Sequence, residues 1–247
     1  YMAQRGMVVA VNDHLGHGRS VASGALYGHF GDRGGLYNVV EDVRNLQSIL
    51  REKYPDLPCF LMGHSMGSFV AREFAAAYGA SLTAAVVMGT SAGIPEGVWR
   101  AERAYLEMLK KSKGPRAKLP YLAQIVTGPY NRKFKPNRTD FDWVTSKEEV
   151  QGYIDLGALL HAVNTDEWYR RLPKKLPVYL ISGENDPVGG MGKGVRKIEK
   201  KLRETGHDVT MTLYPHVRHA LVTEVNADRV FDDVYAFLAA HLPKTEE

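Results

Sequence analysis

Cys59-Phe60-Leu61-Met62-Gly63-His64-Ser65-Met66-Gly67-Ser68-Phe69 carries the strongest structural signal in the chain. The apolar run Cys59 to Met62 reads as a buried strand, and the alanine-rich stretch from Phe69 to Tyr78 as a helix. Between them stands Gly-x-Ser-x-Gly. In a strand–turn–helix setting, this pattern holds the serine on a strained turn with its hydroxyl projecting above the end of a sheet. Side chains at Gly63 and Gly67 are expected to collide with the neighbouring strand and helix, and His64 to pack within the turn. The helix that follows aims its N-terminus at the site, which makes the Met66 amide a candidate donor to a developing oxyanion. A serine that merely caps the helix is the other reading of the same residues.

Outward from this point, strand and helix patterns alternate. Met7–Asn12 is an apolar, β-branched run that reads as a buried parallel strand, followed by a loop rich in glycine and polar residues. Apolar residues from Leu36 to Tyr54 fall at helical spacing, and Pro55 and Pro58 end that helix. Ala84–Met88 reads as a strand, as do Val178–Ile181 and Val209–Tyr214. Val195–Leu202 reads as an amphipathic helix and Val225–His241 as a closing one. Repeated strand, crossover helix, strand implies an α/β fold with a mostly parallel sheet flanked by helices. The rhythm breaks between about 91 and 172, where Trp99, Trp143, Trp168 and a basic segment from Arg100 to Lys118 lie. The expected organisation is therefore a core of 1–90 and 173–247 with an insertion at 91–172.

A serine hydroxyl is a weak nucleophile until a histidine takes its proton and a carboxylate orients that histidine. In a sheet of this kind both partners sit on loops just past strand ends, in the order serine, acid, histidine. After 178–181 come Glu184 and Asp186. Asp186 is the choice because it lies further out and precedes Pro187. After 209–214 come His216 and His219. His219 is the choice because it stands where the closing helix would begin. His14 and His17 are expected to hold their loop by hydrogen bonds.

Four segments stand in a telling order: Asp13-His14-Leu15-Gly16-His17-Gly18-Arg19-Ser20, Gly63-His64-Ser65-Met66-Gly67-Ser68, Gly183-Glu184-Asn185-Asp186 and Arg218-His219-Ala220-Leu221. Together they resemble the monoacylglycerol lipase and lysophospholipase-like α/β-hydrolases of the S33 type. The resemblance implies that Ser65 is the nucleophile, Asp186 the acid and His219 the base. It makes the insertion a cap, or lid, that shapes an acyl tunnel and meets membranes or micelles. It implies monoacylglycerols, lysophospholipids or other acyl esters as substrates; no cofactor is expected, and the remaining histidines, His29, His161, His207 and His241, have no spacing that suggests a metal. A thioesterase, amidase or peptidase of the same fold is the neighbouring alternative, and a non-catalytic binding module is one from another class.

Within the insertion Val98, Ala101, Tyr105, Met108 and Leu109 make one helical stripe, with Arg100, Arg103, Lys110 and Lys111 on the opposite face and end. Such a helix can lie on an anionic interface. The blander expectation is that the stripe packs on the domain beneath it. The resemblance also implies three strands and a His-Gly oxyanion loop ahead of Met7, whereas Tyr1–Gly6 reads as the tail of a helix. One of those strands would lie between 7–12 and 59–62. Without it the chain is an incomplete enzyme, or another copy in a homodimer donates strands, or the two strands close up directly.

Composition bounds the rest. The 247 residues carry 32 Lys+Arg and 28 Asp+Glu, a net charge of +4. That mild excess, spread along the chain, is no nucleic-acid signature. A lone cysteine, Cys59, forms no intrachain disulfide. With no apolar run of transmembrane length and no secretory signal at the start, the expected address is cytoplasmic, peripheral to membrane at most.

Overall fold

The computed structural model describes residues 1–21, 28–31, 33–117, 150–223 and 227–243. Trp143, Lys118 and Val225, which figure in the sequence reading, lie outside the described residues. Four strands, β1 (Phe60–His64), β2 (Ala84–Met88), β3 (Val178–Gly183) and β4 (Val209–Tyr214), pair in parallel in that order. Parallel neighbours require a crossover between them. α2 (Met66–Tyr78) joins β1 to β2, and α6 (Lys193–Glu204) joins β3 to β4. Before β1 comes α1 (Leu36–Lys53). Between β2 and β3 come α3 (Glu96–Lys113), α4 (Val150–Ala162) and α5 (Asp166–Arg171), and α7 (Ala227–Ala240) closes the described chain.

The chain divides into two units. The first comprises Tyr1–Asn12, Val43–Ala92 and Ala162–Glu247, and it contains the whole sheet. Every residue of β2 and β3 is buried, as a central strand covered on both faces must be. Val230, Val234 and Leu238 recur on one face of α7 and join Val86, Met88, Tyr179, Ile181 and Tyr214 in a single cluster. α6 buries Val195, Ile198 and Leu202 and packs against β3 and β4. Each such aliphatic side chain contributes about 1.5–3 kcal/mol when fully buried.

The second unit comprises Asp13–Asp42 and Gly93–His161. Its core gathers Leu106 and Leu109 of α3 with Val150, Tyr153 and Ile154 of α4. The Asp13–Ser20 loop is held by its own ends. The Arg19 amide donates to the Asp13 carboxylate at 2.8 Å, and the Ser20 hydroxyl to the Asp13 carbonyl at 2.7 Å. Of the two loop histidines, His17 bonds the Leu15 carbonyl through Nδ1 at 3.2 Å, while Nδ1 of His14 is buried with no partner among the described residues. The expectation thus holds for His17, and Asp13 and Ser20 do the work expected of His14.

Two expectations fail here. Met7–Asn12 forms no strand: it pairs with no strand among the described residues, and Val8, Val9 and Val11 are 51%, 55% and 89% exposed. Among the described residues the sheet ends instead at β1, where Met62 is 45% exposed. The two segments have not closed up, so the third of the three arrangements is not the one adopted. In α3 the buried residues are Trp99, Leu106 and Leu109, and Val98, Ala101, Tyr105 and Met108 face outward. Leu109 alone of the expected stripe turns inward. Trp99 and Leu106 form the burying face because they lie about 100° round the helix from that stripe, seven residues apart.

Candidate active site

β1 delivers the chain to Ser65 and α2 takes it away within one residue. Ser65 sits at φ 56°, ψ −122°, backbone that L-residues avoid, and its amide donates to the Met88 carbonyl of β2 at 3.0 Å. That bond and the start of α2 hold the strained serine in place. A Cβ on Gly63 would fall on the backbone of Gly67 and 2.9 Å from Ala71, so only glycine fits there. The same does not hold for Gly67, whose Cβ would meet nothing within 4 Å. Its glycine has no steric cause among the described residues. Met66 is the first residue of α2, and the opening amides of a helix have no carbonyl of their own to bond.

The loops after β3 and β4 bring the other two residues. The Glu184 amide donates to the Tyr214 carbonyl and the Asn185 amide to Val217, each at 2.9 Å, which ties one loop to the other. Asp186 is fully buried. One carboxylate oxygen, Oδ1, accepts the Val188 amide at 2.8 Å; the other, Oδ2, accepts the Ser182 hydroxyl at 3.2 Å and Nδ1 of His219 at 3.0 Å. Nε2 of the buried His219 lies 2.8 Å from Oγ of Ser65. The carboxylate can only accept, so Nδ1 carries the imidazole proton and the Nε2 lone pair faces the serine O–H. Glu184 and His216, the competing acid and histidine, are both exposed and outside this chain of bonds. Three residues far apart in sequence thus form a line that can draw a proton off the serine hydroxyl.

His64 does more than fill the turn. Its Nε2 donates to the backbone carbonyl of His219 at 2.8 Å, and the two rings lie 4.9 Å apart. Burial pushes its imidazole below the ordinary value; the bond to His219 opposes that push. Gly89, at φ 56°, leaves the space both rings need: a Cβ there would lie 3.2 Å from each. Ser182 was also missed by the sequence reading. Its place at the end of β3, four residues before Asp186, is the signal that marks it. No three His, Cys, Asp or Glu side chains come together as metal ligands would among the described residues.

The family described as serine aminopeptidase, S33 matches residues 1–226. A monoacylglycerol lipase of Mycolicibacterium smegmatis is 26% identical over 98% of this chain and 83% of its own length. The human monoglyceride lipase is 29% identical over 92% of this chain and 72% of its own. Among solved structures, a thermostable carboxyl esterase from Bacillus coagulans superposes with a TM-score of 0.83 at 30% identity, covering 92% of this chain and 79% of that one. A soluble variant of the Saccharomyces cerevisiae monoglyceride lipase superposes with a TM-score of 0.61 at 19% identity, covering 94% of this chain and 77% of that one, which is a likeness of fold.

Proposed function

Because the chain belongs to the serine aminopeptidase S33 family, as an α/β-hydrolase akin to the monoacylglycerol lipases, we propose that it is a serine carboxylic-ester hydrolase in which Ser65, His219 and Asp186 act as a catalytic triad. The line of bonds from Ser65 through His219 to Asp186, at 2.8 and 3.0 Å, carries the reading. Oγ of Ser65 attacks the ester carbonyl carbon while Nε2 of His219 takes its proton. Asp186 stabilises the imidazolium through Nδ1. The oxyanion of the tetrahedral intermediate accepts the Met66 amide. As the intermediate collapses, His219 returns its proton to the departing alcohol and Ser65 is left acylated. Water then gives its proton to His219 and attacks the acyl carbon, releasing the acid and the serine.

Monoacylglycerols, lysophospholipids and similar acyl esters are the proposed substrates, supported by the names of the relatives. The outward stripe of α3, with Lys110 and Lys111 at its end, supports contact between the proposed lid and a membrane or micelle. The family's description as an aminopeptidase favours a second reading: the same triad acting on an amide.

The test is hydrolysis of p-nitrophenyl esters from acetate to palmitate by this chain and by Ser65→Ala, with fluorophosphonate labelling of both. Turnover is expected to fall about 10⁴-fold or more in the variant, and labelling to vanish. Undiminished activity in Ser65→Ala overturns the nucleophile. A folded wild-type chain that neither hydrolyses nor labels overturns the enzyme reading in favour of a binding module.

A further inference from the structure

Arg72 is a buried cation that donates to no carboxylate among the described residues. It lies seven residues beyond Ser65 on α2 and is 1% exposed, with every hydrogen-bonded partner among the described residues a neutral oxygen. Nη1 donates to the Ser91 carbonyl at 3.1 Å and to Oγ1 of Thr90 at 3.4 Å. Nη2 donates to the Val163 carbonyl and to Oδ1 of Asn164 at 3.2 Å. The guanidinium lies 4.5 Å from the Trp168 ring centre, and the Trp168 indole N–H donates to the Arg72 carbonyl at 2.9 Å. The neighbouring acid, Glu73, is taken by Arg171. Burial lowers the guanidinium to about 10, so it stays charged at neutral pH.

A buried charge that pairs with no opposite charge costs free energy unless its bonds serve something. The oxygens it binds come from two places far apart in the chain. Thr90 and Ser91 belong to the segment that leaves β2, and Val163 and Asn164 to the segment that returns before α5. Asn164 also reaches across, its amide donating to the Ser91 carbonyl at 3.3 Å. The same departing loop touches the histidine: Gly89 stands one residue before Thr90 and leaves the space for the His219 ring.

We infer that Arg72 is a positioning residue, which sets the Gly89–Ser91 loop against His219 and ties it to the returning chain at Val163 and Asn164. This rests on the proposed reading of Ser65 and His219. A guanidinium suits the task because its planar fork meets several oxygens at once, whereas an ammonium is a single point charge on a flexible stem.

The experiment compares wild type, Arg72→Lys and Arg72→Met well below the unfolding midpoint of each. In Arg72→Met, kcat for a short soluble ester is expected to fall about tenfold or more, the scale of a small misplacement of reacting groups, with little change in KM. Fluorophosphonate labelling of Ser65 slows by the same factor, and Arg72→Lys recovers part of both. A lowered midpoint with wild-type kcat and labelling overturns the inference and leaves Arg72 a stabilising residue only. If Arg72→Met fails to fold, Arg72→Lys decides by the same two rates. If wild type itself neither turns over nor labels, the reading of Ser65 has failed, and hydrogen exchange decides instead. Amides of Gly89–Ala92 and Val163–Asn164 are expected to lose protection together in Arg72→Lys; unchanged protection overturns the inference.

Discussion

His64 shows where single residues resist being read in advance. Ser65 was legible because glycines and a strand–helix junction announce it. Asp186 and His219 were legible because the fold allots them to strand ends. The bond from His64 to the His219 carbonyl spans 155 positions, and nothing local to either residue points to the other. Gly67 errs in the opposite direction: the motif contains it, yet the described structure gives it room to spare. The His64 bond has a pH signature. Its imidazole titrates below the ordinary 6.5 in the folded chain, so the unfolded chain takes the proton first. The stability that neutral His64 confers is complete above about pH 6.5 and is lost as the pH falls toward the folded value. His64→Gln keeps a donor and cannot titrate. The difference in unfolding midpoint is therefore expected to shift in the variant's favour as pH falls from about 8 to about 5. A difference that stays constant across that range would refute this.

Elements were legible where composition suffices, and illegible where a partner decides. β2, β3 and β4 each declare themselves by apolar, β-branched runs. Met7–Asn12 has a similar composition and pairs with no strand among the described residues, because a strand is completed by its neighbour's hydrogen bonds, which the run does not contain. α3 teaches the same about faces. Its apolar positions cover two faces, and only the packing of Trp99, Leu106 and Leu109 reveals which is used inside. The outward face has a measurable consequence. Met108→Glu places a carboxylate in the exposed stripe, and co-sedimentation with anionic vesicles is expected to weaken severalfold while hydrolysis of a short soluble ester holds. Unchanged sedimentation would remove α3 from the interface.

For the molecule as a whole, the open side of the sheet matters most. Among the described residues β1 has a neighbour on one side only, with Met62 exposed beside it, an arrangement that invites pairing with another chain. Self-association at concentration is expected, and Met62→Lys is expected to reduce it, read by light scattering, with esterase turnover unchanged. Equal scattering from both proteins would place the association elsewhere. The parallel sheet also orders the events of the chain's birth. Oγ of Ser65 and the imidazole it bonds are 154 positions apart, and no crossover brings them together until β4 has docked. Long-range parallel pairing of this kind forms slowly and late. While the ribosome is still supplying the second half, the serine is an ordinary alcohol. In the proposed triad its activation waits for His219, so a product terminated before β4 is expected to take up no fluorophosphonate.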